Sequence, residues 1–170
     1  MSEPGDGSGE GGRLPATARL EPAAPDLVPP RSLRVLLADD HPISRKMVAA
    51  ILELIGVELT SVETGQAALD AYSVATFDLV LMDLQMPVMD GLTAIRTIRA
   101  WEAGGARART PIYALTANAM AAHIEASRLA GADAHLTKPI TASALIAAVR
   151  GVGQPGALAQ DHGSARRRRN

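Results

Sequence analysis

Residues 78–91 read DLVLMDLQMPVMDG, and they contain the unit from which the central part of the chain is built. The run from Asp78 to Met82 is short and almost entirely apolar, which is typical of a strand covered on both faces of a parallel sheet. Asp83 follows this strand directly. A helical pattern then begins at Gly91. The stretch therefore predicts a buried strand, a carboxylate at its end and a helix.

The same alternation continues on both sides of this unit between residues 33 and 152. It predicts strands at residues 33–38, 57–62, 78–82, 111–115 and 132–136, and helices at 42–55, 64–74, 91–102, 118–130 and 141–150. Because strands that alternate with helices form parallel sheets with right-handed crossovers, we predict an α/β fold. The expected architecture is a doubly wound five-stranded parallel sheet, (βα)5.

Proline and threonine mark two of the predicted helix starts. Pro42 suits the first position of a helix, Thr64 suits an N-cap, and Gly56 ends the first helix. Four apolar residues of that first helix recur at helical spacing, which predicts that they form its buried face: Met47, Ile51, Leu54 and Ile55.

Composition excludes several classes of protein. The chain has 170 residues, of which 47% are hydrophobic and 21% charged, so it supports a buried core. Aromatic residues make up only 2% and the formal net charge is −1, which argues against nucleic-acid binding and against attraction to an anionic membrane. The absence of cysteine excludes disulfides and thiol catalysis, and it suits a cytoplasmic location.

The two ends of the chain differ from its centre. Six of the 11 prolines lie in residues 1–30, so we expect residues 1–32 to form a disordered arm or linker. We expect residues 153–170 to form a flexible tail, in which the basic run Arg166–Arg169 is solvated. Neither a signal peptide nor a membrane-spanning stretch is expected.

Polar side chains follow four of the predicted strands. Asp39 and Asp40 come after the first, Asp83 after the third, Thr116 after the fourth and Lys138 after the fifth. Ligands of doubly wound sheets bind at these carboxyl ends, so we expect the five side chains to meet there. Taken singly, these residues have ordinary interpretations: a turn residue or helix cap for Asp39 or Asp40, a helix cap for Thr116, and an exposed lysine for Lys138.

Together these side chains predict phosphoryl-transfer chemistry. Clustered carboxylates raise one another's pKa and favour a bound cation, and carboxylate oxygens are ligands that Mg²⁺ accepts. Lys138 and Thr116 suit phosphoryl oxygens, as a point charge and a hydrogen-bond donor. Asp83 is the candidate nucleophile, which would form an aspartyl phosphate.

Four segments resemble the receiver domain of bacterial two-component response regulators over residues 33–152. They are ADDHP at 38–42, VLMDLQMPVMDG at 80–91, ALTANA at 114–119 and LTKP at 136–139. The sequences of these segments are most similar to those of receivers attached to hybrid histidine kinases. The resemblance implies a flavodoxin-like receiver fold. It leaves two alternatives for the chain: a stand-alone regulator, which catalyses only its own phosphorylation and dephosphorylation, or the receiver part of a hybrid kinase.

The resemblance also implies site roles and partners. Asp83 would accept a phosphoryl group from a histidine kinase or a histidine phosphotransfer protein. Asp39, Asp40 and Asp83 would hold Mg²⁺, with the backbone carbonyl of Gln85 as a further ligand.

Two further residues have roles implied by the resemblance. Lys138 would bridge Asp83 and the phosphoryl group, with a Lys138–Pro139 peptide bond that X-Pro chemistry permits to be cis. Thr116 would swing toward the phosphoryl group and reorganise the face formed by the fourth helix, fifth strand and fifth helix. A weak dimer through that face is the expected self-association.

His135 departs from the family pattern. It occupies the fifth-strand switch position, three residues before the lysine, where this family usually has Tyr or Phe. Two interpretations stay open: a modified switch, or a half-buried strand histidine with no switching role.

Other functions fit the residues less well. A dinucleotide-binding domain requires G-x-G-x-x-G after the first strand, where residues 39–44 read DDHPIS. A phosphatase with an aspartate nucleophile requires a second acidic residue two positions after that nucleophile, where this chain has Gln85. The remaining rival is a phosphorylation-independent interaction module with a receiver fold. For a partner protein we expect docking at the first helix, near Ile43, Arg45 and Met47. For Met47 two placements stay open, this docking surface or the buried face of the helix.

Overall fold

The computed structural model describes residues 32–105, 107–117 and 121–152 of the chain. A compact unit begins at Ser32. The arm predicted for residues 1–32, apart from Ser32, and the tail predicted for 153–170 lie outside the described residues. Within the described ranges, no helix has the length and apolar character that crossing a membrane requires.

Five parallel strands form one sheet in the order β2-β1-β3-β4-β5. The strands are Arg34–Ala38 (β1), Glu58–Val62 (β2), Leu79–Asp83 (β3), Ile112–Thr116 (β4) and Ala134–Thr137 (β5). The helices are Pro42–Leu54 (α1), Gly65–Val74 (α2), Gly91–Ala103 (α3), Ala121–Ala130 (α4) and Ala142–Val152 (α5). The predicted (βα)5 fold is confirmed, and strand order reverses between β1 and β3, where such sheets form their crevice.

The core has two layers, one on each face of the sheet. Alternate residues of a strand point to opposite faces, so Leu36 packs with α2 and α3 while Leu37 packs with α1 and α5. The single tryptophan, Trp101, is half-buried and packs against the α2–α3 layer. The central strand β3 is buried along its whole length, as its apolar sequence predicts.

Helix α1 buries a different face from the predicted one. Pro42 begins the helix as expected, but its buried residues are Val48 and Leu52. Met47, Leu54 and Ile55 are 38%, 86% and 37% exposed, so their assignment to the buried face was wrong. Apolar residues occur around most of this helix, and their spacing alone does not define the face that meets the sheet.

Side-chain caps fix the starts of two other helices. The Thr64 hydroxyl accepts a hydrogen bond from the Ala67 amide at 3.1 Å, which confirms the predicted N-cap of α2. Asp90 caps α3 in the same way, since its carboxylate accepts from the Thr93 amide at 2.8 Å.

The β3–α3 loop is tightly constrained. A Cβ atom on Gly91 would lie 2.0 Å from the Asp83 carbonyl oxygen, so no larger residue fits where α3 begins beside the end of β3. Val88, at the tip of the loop, has a φ of 68° and is 88% exposed. A β-branched residue is strained in this left-handed region. On the other side of the crevice, the Lys138–Pro139 peptide bond is cis.

A buried polar network occupies the opposite edge of the sheet. The Arg99 guanidinium forms ion pairs with Glu102 at 2.5 Å and with Asp133 at 2.6 Å, and its Nε donates to the Gly131 carbonyl at 2.8 Å. The Tyr72 hydroxyl donates to Glu102 at 2.9 Å. This network joins α2 and α3 to the turn between α4 and β5.

Candidate functional site

The strand ends bring the sequence-predicted polar residues to one edge of the sheet. Asp39 follows β1, and Lys138 follows β5. Asp83 and Thr116 are the last residues of β3 and β4, one position earlier in the fold than the loop positions predicted for them. Parallel strands place these ends side by side, which explains why residues far apart in sequence meet here.

Three carboxylates form a cluster at this edge. One oxygen each from Asp39, Asp40 and Asp83 lies within 4.8 Å of the others. Asp39 is fully buried and Asp83 is buried, whereas Asp40 is exposed. Like charges so close together repel, and hard divalent cations bind such oxygen sets. The cluster therefore fits a divalent cation.

Lys138 lies between two of the carboxylates. Its Nζ is 2.9 Å from Asp39 Oδ2 and 2.5 Å from Asp83 Oδ2, and its backbone amide donates to the Thr116 carbonyl at 2.8 Å. Burial opposes its positive charge, but hydrogen bonds to the two aspartates outweigh burial and raise the pKa of Lys138. The ammonium is therefore fully charged at neutral pH.

Burial has the opposite consequence for Asp83. It raises the pKa of the carboxyl group, even though hydrogen bonds from Lys138 and from the Gln85 amide at 3.1 Å favour the ionised form. The positive charge of Lys138 thus offsets only part of the desolvation cost of the buried carboxylate. The negative charge that stays uncompensated favours binding of a further cation. The role of the Gln85 carbonyl as a metal ligand stays a prediction.

Ser44 is a site residue that the sequence analysis missed. Its hydroxyl donates to Asp39 Oδ2 at 2.7 Å, while the His41 amide donates to Asp39 Oδ1 at 2.9 Å. The first turn of α1 therefore orients the buried carboxylate. The sequence did contain a signal for Ser44: its hydroxyl lies about one helical turn after Asp39 and Asp40. The first turn of the helix that follows a strand lies close to the end of that strand.

The two switch candidates lie in different surroundings. Thr116 is buried and borders a small cavity that it shares with Asp83 and His123. His135 is exposed on β5, beside Ala114 of β4, and is thus not the half-buried residue that one interpretation expected. The switching roles of Thr116 and His135 stay predictions.

A larger cavity of about 490 Å³ opens between α1 and the β5–α5 connection. Its walls combine Asp40, Asp83 and Lys138 with apolar side chains, which are Ile43, Met47, Pro139 and Ile140. Ile43 is 71% exposed at the rim. Arg45 was expected at a docking surface but points inward, where its guanidinium donates to the Asp39 carbonyl at 2.8 Å and pairs with Glu63.

The family model for the response regulator receiver domain matches residues 35–150. The chain belongs to this family. It is a receiver domain of two-component systems, as its strand-end motifs predicted. The match spans all five strands and all five helices up to Arg150 of α5.

Bacterial sensor proteins supply similar sequences. The receiver domain is 43% identical over 138 residues to sensor protein GacS of Pseudomonas syringae, an alignment that covers 74% of this chain and 15% of GacS. It is 38% identical over 116 residues to the sensory/regulatory protein RpfC of Xanthomonas campestris, covering 68% of this chain and 16% of RpfC. The chain thus spans about a sixth of the length of these relatives.

Solved receiver structures share its fold. The receiver domain of sensor histidine kinase PA1611 from Pseudomonas aeruginosa, which has a magnesium ion in its active-site cleft, is 35% identical with a TM-score of 0.66; the alignment covers 73% of this chain and all of that one. The Ssk1 receiver of Saccharomyces cerevisiae, solved with the phosphotransfer protein Ypd1, is 27% identical with a TM-score of 0.69 and coverages of 72% and 89%.

Proposed function

We propose that this receiver domain accepts a phosphoryl group from a phosphohistidine onto Asp83 and passes the signal on by phosphotransfer or by a changed interaction surface. The observation that carries the proposal is the pairing of buried Asp83 with Lys138, 2.5 Å away, beside two further carboxylates. An Asp83 oxygen attacks phosphorus, the P–N bond of the phosphohistidine breaks, and its electron pair stays on the imidazole nitrogen. The products are an aspartyl phosphate and a histidine side chain.

The chain's own residues supply positioning and charge. Lys138 already contacts Asp83 and offers a positive charge to the phosphoryl oxygens, and Thr116 places a hydroxyl at the same edge. Phosphoryl transfer depends mostly on such positioning and electrostatic stabilisation.

Asp39, Asp40 and Asp83 fit Mg²⁺, since their oxygens approach one another closely and Asp83 lacks full charge compensation. The magnesium ion in the similar PA1611 receiver supports this assignment. When bound, Mg²⁺ neutralises charge on the carboxylates and the phosphoryl oxygens. Ser44 and the His41 amide keep Asp39 oriented toward that position.

Mass spectrometry tests the acceptor directly. Incubation with acetyl phosphate and MgCl₂ is expected to add one phosphoryl mass to the wild type and none to Asp83→Asn. Asp70→Asn, on the exposed face of α2, is the matched control and is expected to behave as the wild type. Undiminished labelling of Asp83→Asn would contradict the assignment, and an unlabelled wild type would favour an interaction module that works without phosphorylation.

We further propose that the phosphohistidine partner docks over the cavity beside α1. Its exposed apolar rim at Ile43 and Met47 leads directly to Asp83, and the Ssk1–Ypd1 complex shows that a similar receiver binds a phosphotransfer protein. A histidine kinase or a histidine phosphotransfer protein would be the donor, as the similarity to sensor histidine kinase GacS supports.

Phosphotransfer kinetics test the docking face. Ile43→Glu is expected to slow transfer from a phosphorylated histidine phosphotransfer protein about tenfold or more, because a carboxylate would be buried at the apolar contact. Its phosphorylation by acetyl phosphate should be unchanged. Val74→Glu, at a residue that is also highly exposed but lies on α2, is the control. Equal transfer rates for both variants would place the docking face elsewhere.

A further inference from the structure

A small cavity lies beside Asp83, and α4 contributes one of its lining residues. Its volume is about 20 Å³, room for about one water molecule. The strands and loops of the site supply most of the lining, which consists of Asp83, Leu84, Gln85, Leu115, Thr116 and Ala117. His123, in the first turn of α4, completes it. Among the described residues, His123 is the α4 side chain that shares this space with the proposed acceptor.

His135 does not share this space. Side chains alternate between the two sides of β5, with Ala134 and Leu136 half-buried and His135 and Thr137 exposed. His135 is also not among the residues that line the cavity. The histidine at the usual switch position therefore points to solvent, while a histidine on the neighbouring helix borders the site.

We propose that His123 is the positioning residue through which phosphorylation of Asp83 changes α4. This inference rests on the proposed function. An aspartyl phosphate brings additional negative charge and three acceptor oxygens to the edge of the cavity. A neutral or protonated imidazole carries an N–H donor, so His123 donates a hydrogen bond into the cavity, to a phosphoryl oxygen or to the Thr116 hydroxyl.

This hydrogen bond would act on the whole helix. His123 is half-buried in the first turn of α4, and helices move as rigid elements. The other end of α4 is held by the Arg99 hydrogen bond to the Gly131 carbonyl at 2.8 Å. A pull at His123 would therefore tilt α4 about an anchored end.

Amide chemical shifts of the full chain test the inference, with beryllofluoride and MgCl₂ as the probe for the phosphorylated state. Wild type is expected to show shifts across Ala121–Ala130. In His123→Leu these shifts should fall to about half of the wild-type size or less, because the hydrogen bond that favours the moved helix is lost. His123→Asn, which keeps a donor, should recover part of the response. His135→Leu tests the competing prediction that His135 is the switch; if His123 carries the coupling, this variant should respond as the wild type.

The outcomes distinguish a failure of this inference from a failure of the proposed phosphoacceptor function on which it rests. Fluorine NMR reports whether beryllofluoride binds, and a wild type that does not bind it would overturn the proposed function and the inference together. Bound beryllofluoride with an undiminished α4 response in His123→Leu would overturn the inference alone, as would a lost response in His135→Leu. If the leucine variant does not fold, His123→Ala removes the donor with a smaller side chain and decides in its place.

Discussion

The side chain of Asp83 combines burial with negative charge, and these two properties oppose each other. Burial raises the pKa of its carboxyl group above the usual value of 3.8, despite the contact with Lys138. A buried carboxylate of this kind destabilises the fold when it ionises, while the same ionised group is what attacks phosphorus. Keeping a buried nucleophile beside Lys138 at the end of β3 therefore lowers the stability of the folded domain.

Asp83→Asn is therefore expected to stabilise the domain in the absence of divalent cations. Because the folded-state pKa of Asp83 is raised, wild type loses stability as pH rises from about 3.8 through that higher pKa, and the variant does not. The difference in Tm should be near zero below this window and should favour the variant above it. Calorimetry at a series of pH values with EDTA measures it. A variant less stable than wild type at neutral pH would show that the Lys138 contact outweighs burial.

Val88 offers a second residue-scale prediction. Its positive φ strains a β-branched side chain that gains little from packing, since it is 88% exposed. Val88→Gly is expected to raise the free energy of unfolding by about 0.5–1 kcal/mol in urea titrations. Ala108→Gly, at an exposed loop position without a positive φ, should lower it instead. Equal losses in both variants would argue against strain at Val88.

Residue chemistry at strand ends was predictable, whereas the contributions of helices were not. Asp39, Asp83, Thr116 and Lys138 were found because each directly follows or ends an apolar run, and parallel strands must place those ends together. Ser44 escaped detection because the direction of a side chain around a helix depends on how the helix packs. For the same reason Arg45 was expected outside and lies inside.

At the scale of elements, the alternation of apolar runs and helical patterns defined all ten elements to within about two residues where the structure describes them. Strand β5 was predicted at 132–136 and spans Ala134–Thr137. Its start was misplaced because Ala132 and Asp133 belong to the preceding turn, where Asp133 serves the polar network. The buried face of α1 was predicted wrongly because its polar residues do not form a continuous stripe that marks the opposite, exposed face.

The Arg99 network predicts a large element-scale effect. Arg99→Met keeps the side-chain stem but leaves the carboxylates of Glu102 and Asp133 without this partner. The loss in free energy of unfolding should be about 2–4 kcal/mol, because Glu102 keeps a buried charge without a cationic partner, whereas Asp133 retains its ion pair with Arg109. Urea denaturation measures this loss.

Arg128→Met is the matched control for that variant. It removes an exposed ion pair with Glu125 within α4 and should leave the free energy of unfolding almost unchanged. Similar losses in the two variants would mean that the Arg99 network contributes no more than a surface pair.

At the scale of the whole molecule, chemistry and anchoring occupy opposite edges of one sheet. The carboxylates and Lys138 lie at the carboxyl ends of the strands, and the Arg99 network lies at the other ends. Because a ligand that binds only the folded domain shifts the folding equilibrium, a ligand at the first edge stabilises the entire fold.

MgCl₂ is accordingly expected to raise the Tm of the whole domain. At a concentration 100 times the dissociation constant, the gain corresponds to about 2.7 kcal/mol. Asp40→Ala should abolish the gain while leaving the metal-free Tm nearly unchanged, because Asp40 is exposed. Asp70→Ala and potassium chloride of equal ionic strength are the controls. An unchanged magnesium response in Asp40→Ala would place the cation elsewhere.

The position of Trp101 gives the domain a built-in optical probe. Trp101 is the only tryptophan, and it lies ten residues beyond Gly91, about 15 Å along α3 from the helix start beside Asp83. Its indole emission should therefore redshift when the α2–α3 core layer opens to water, yet stay constant when the crevice binds a cation or a phosphoryl group. Fluorescence melts would report folding alone, free of any quenching from the reacting centre.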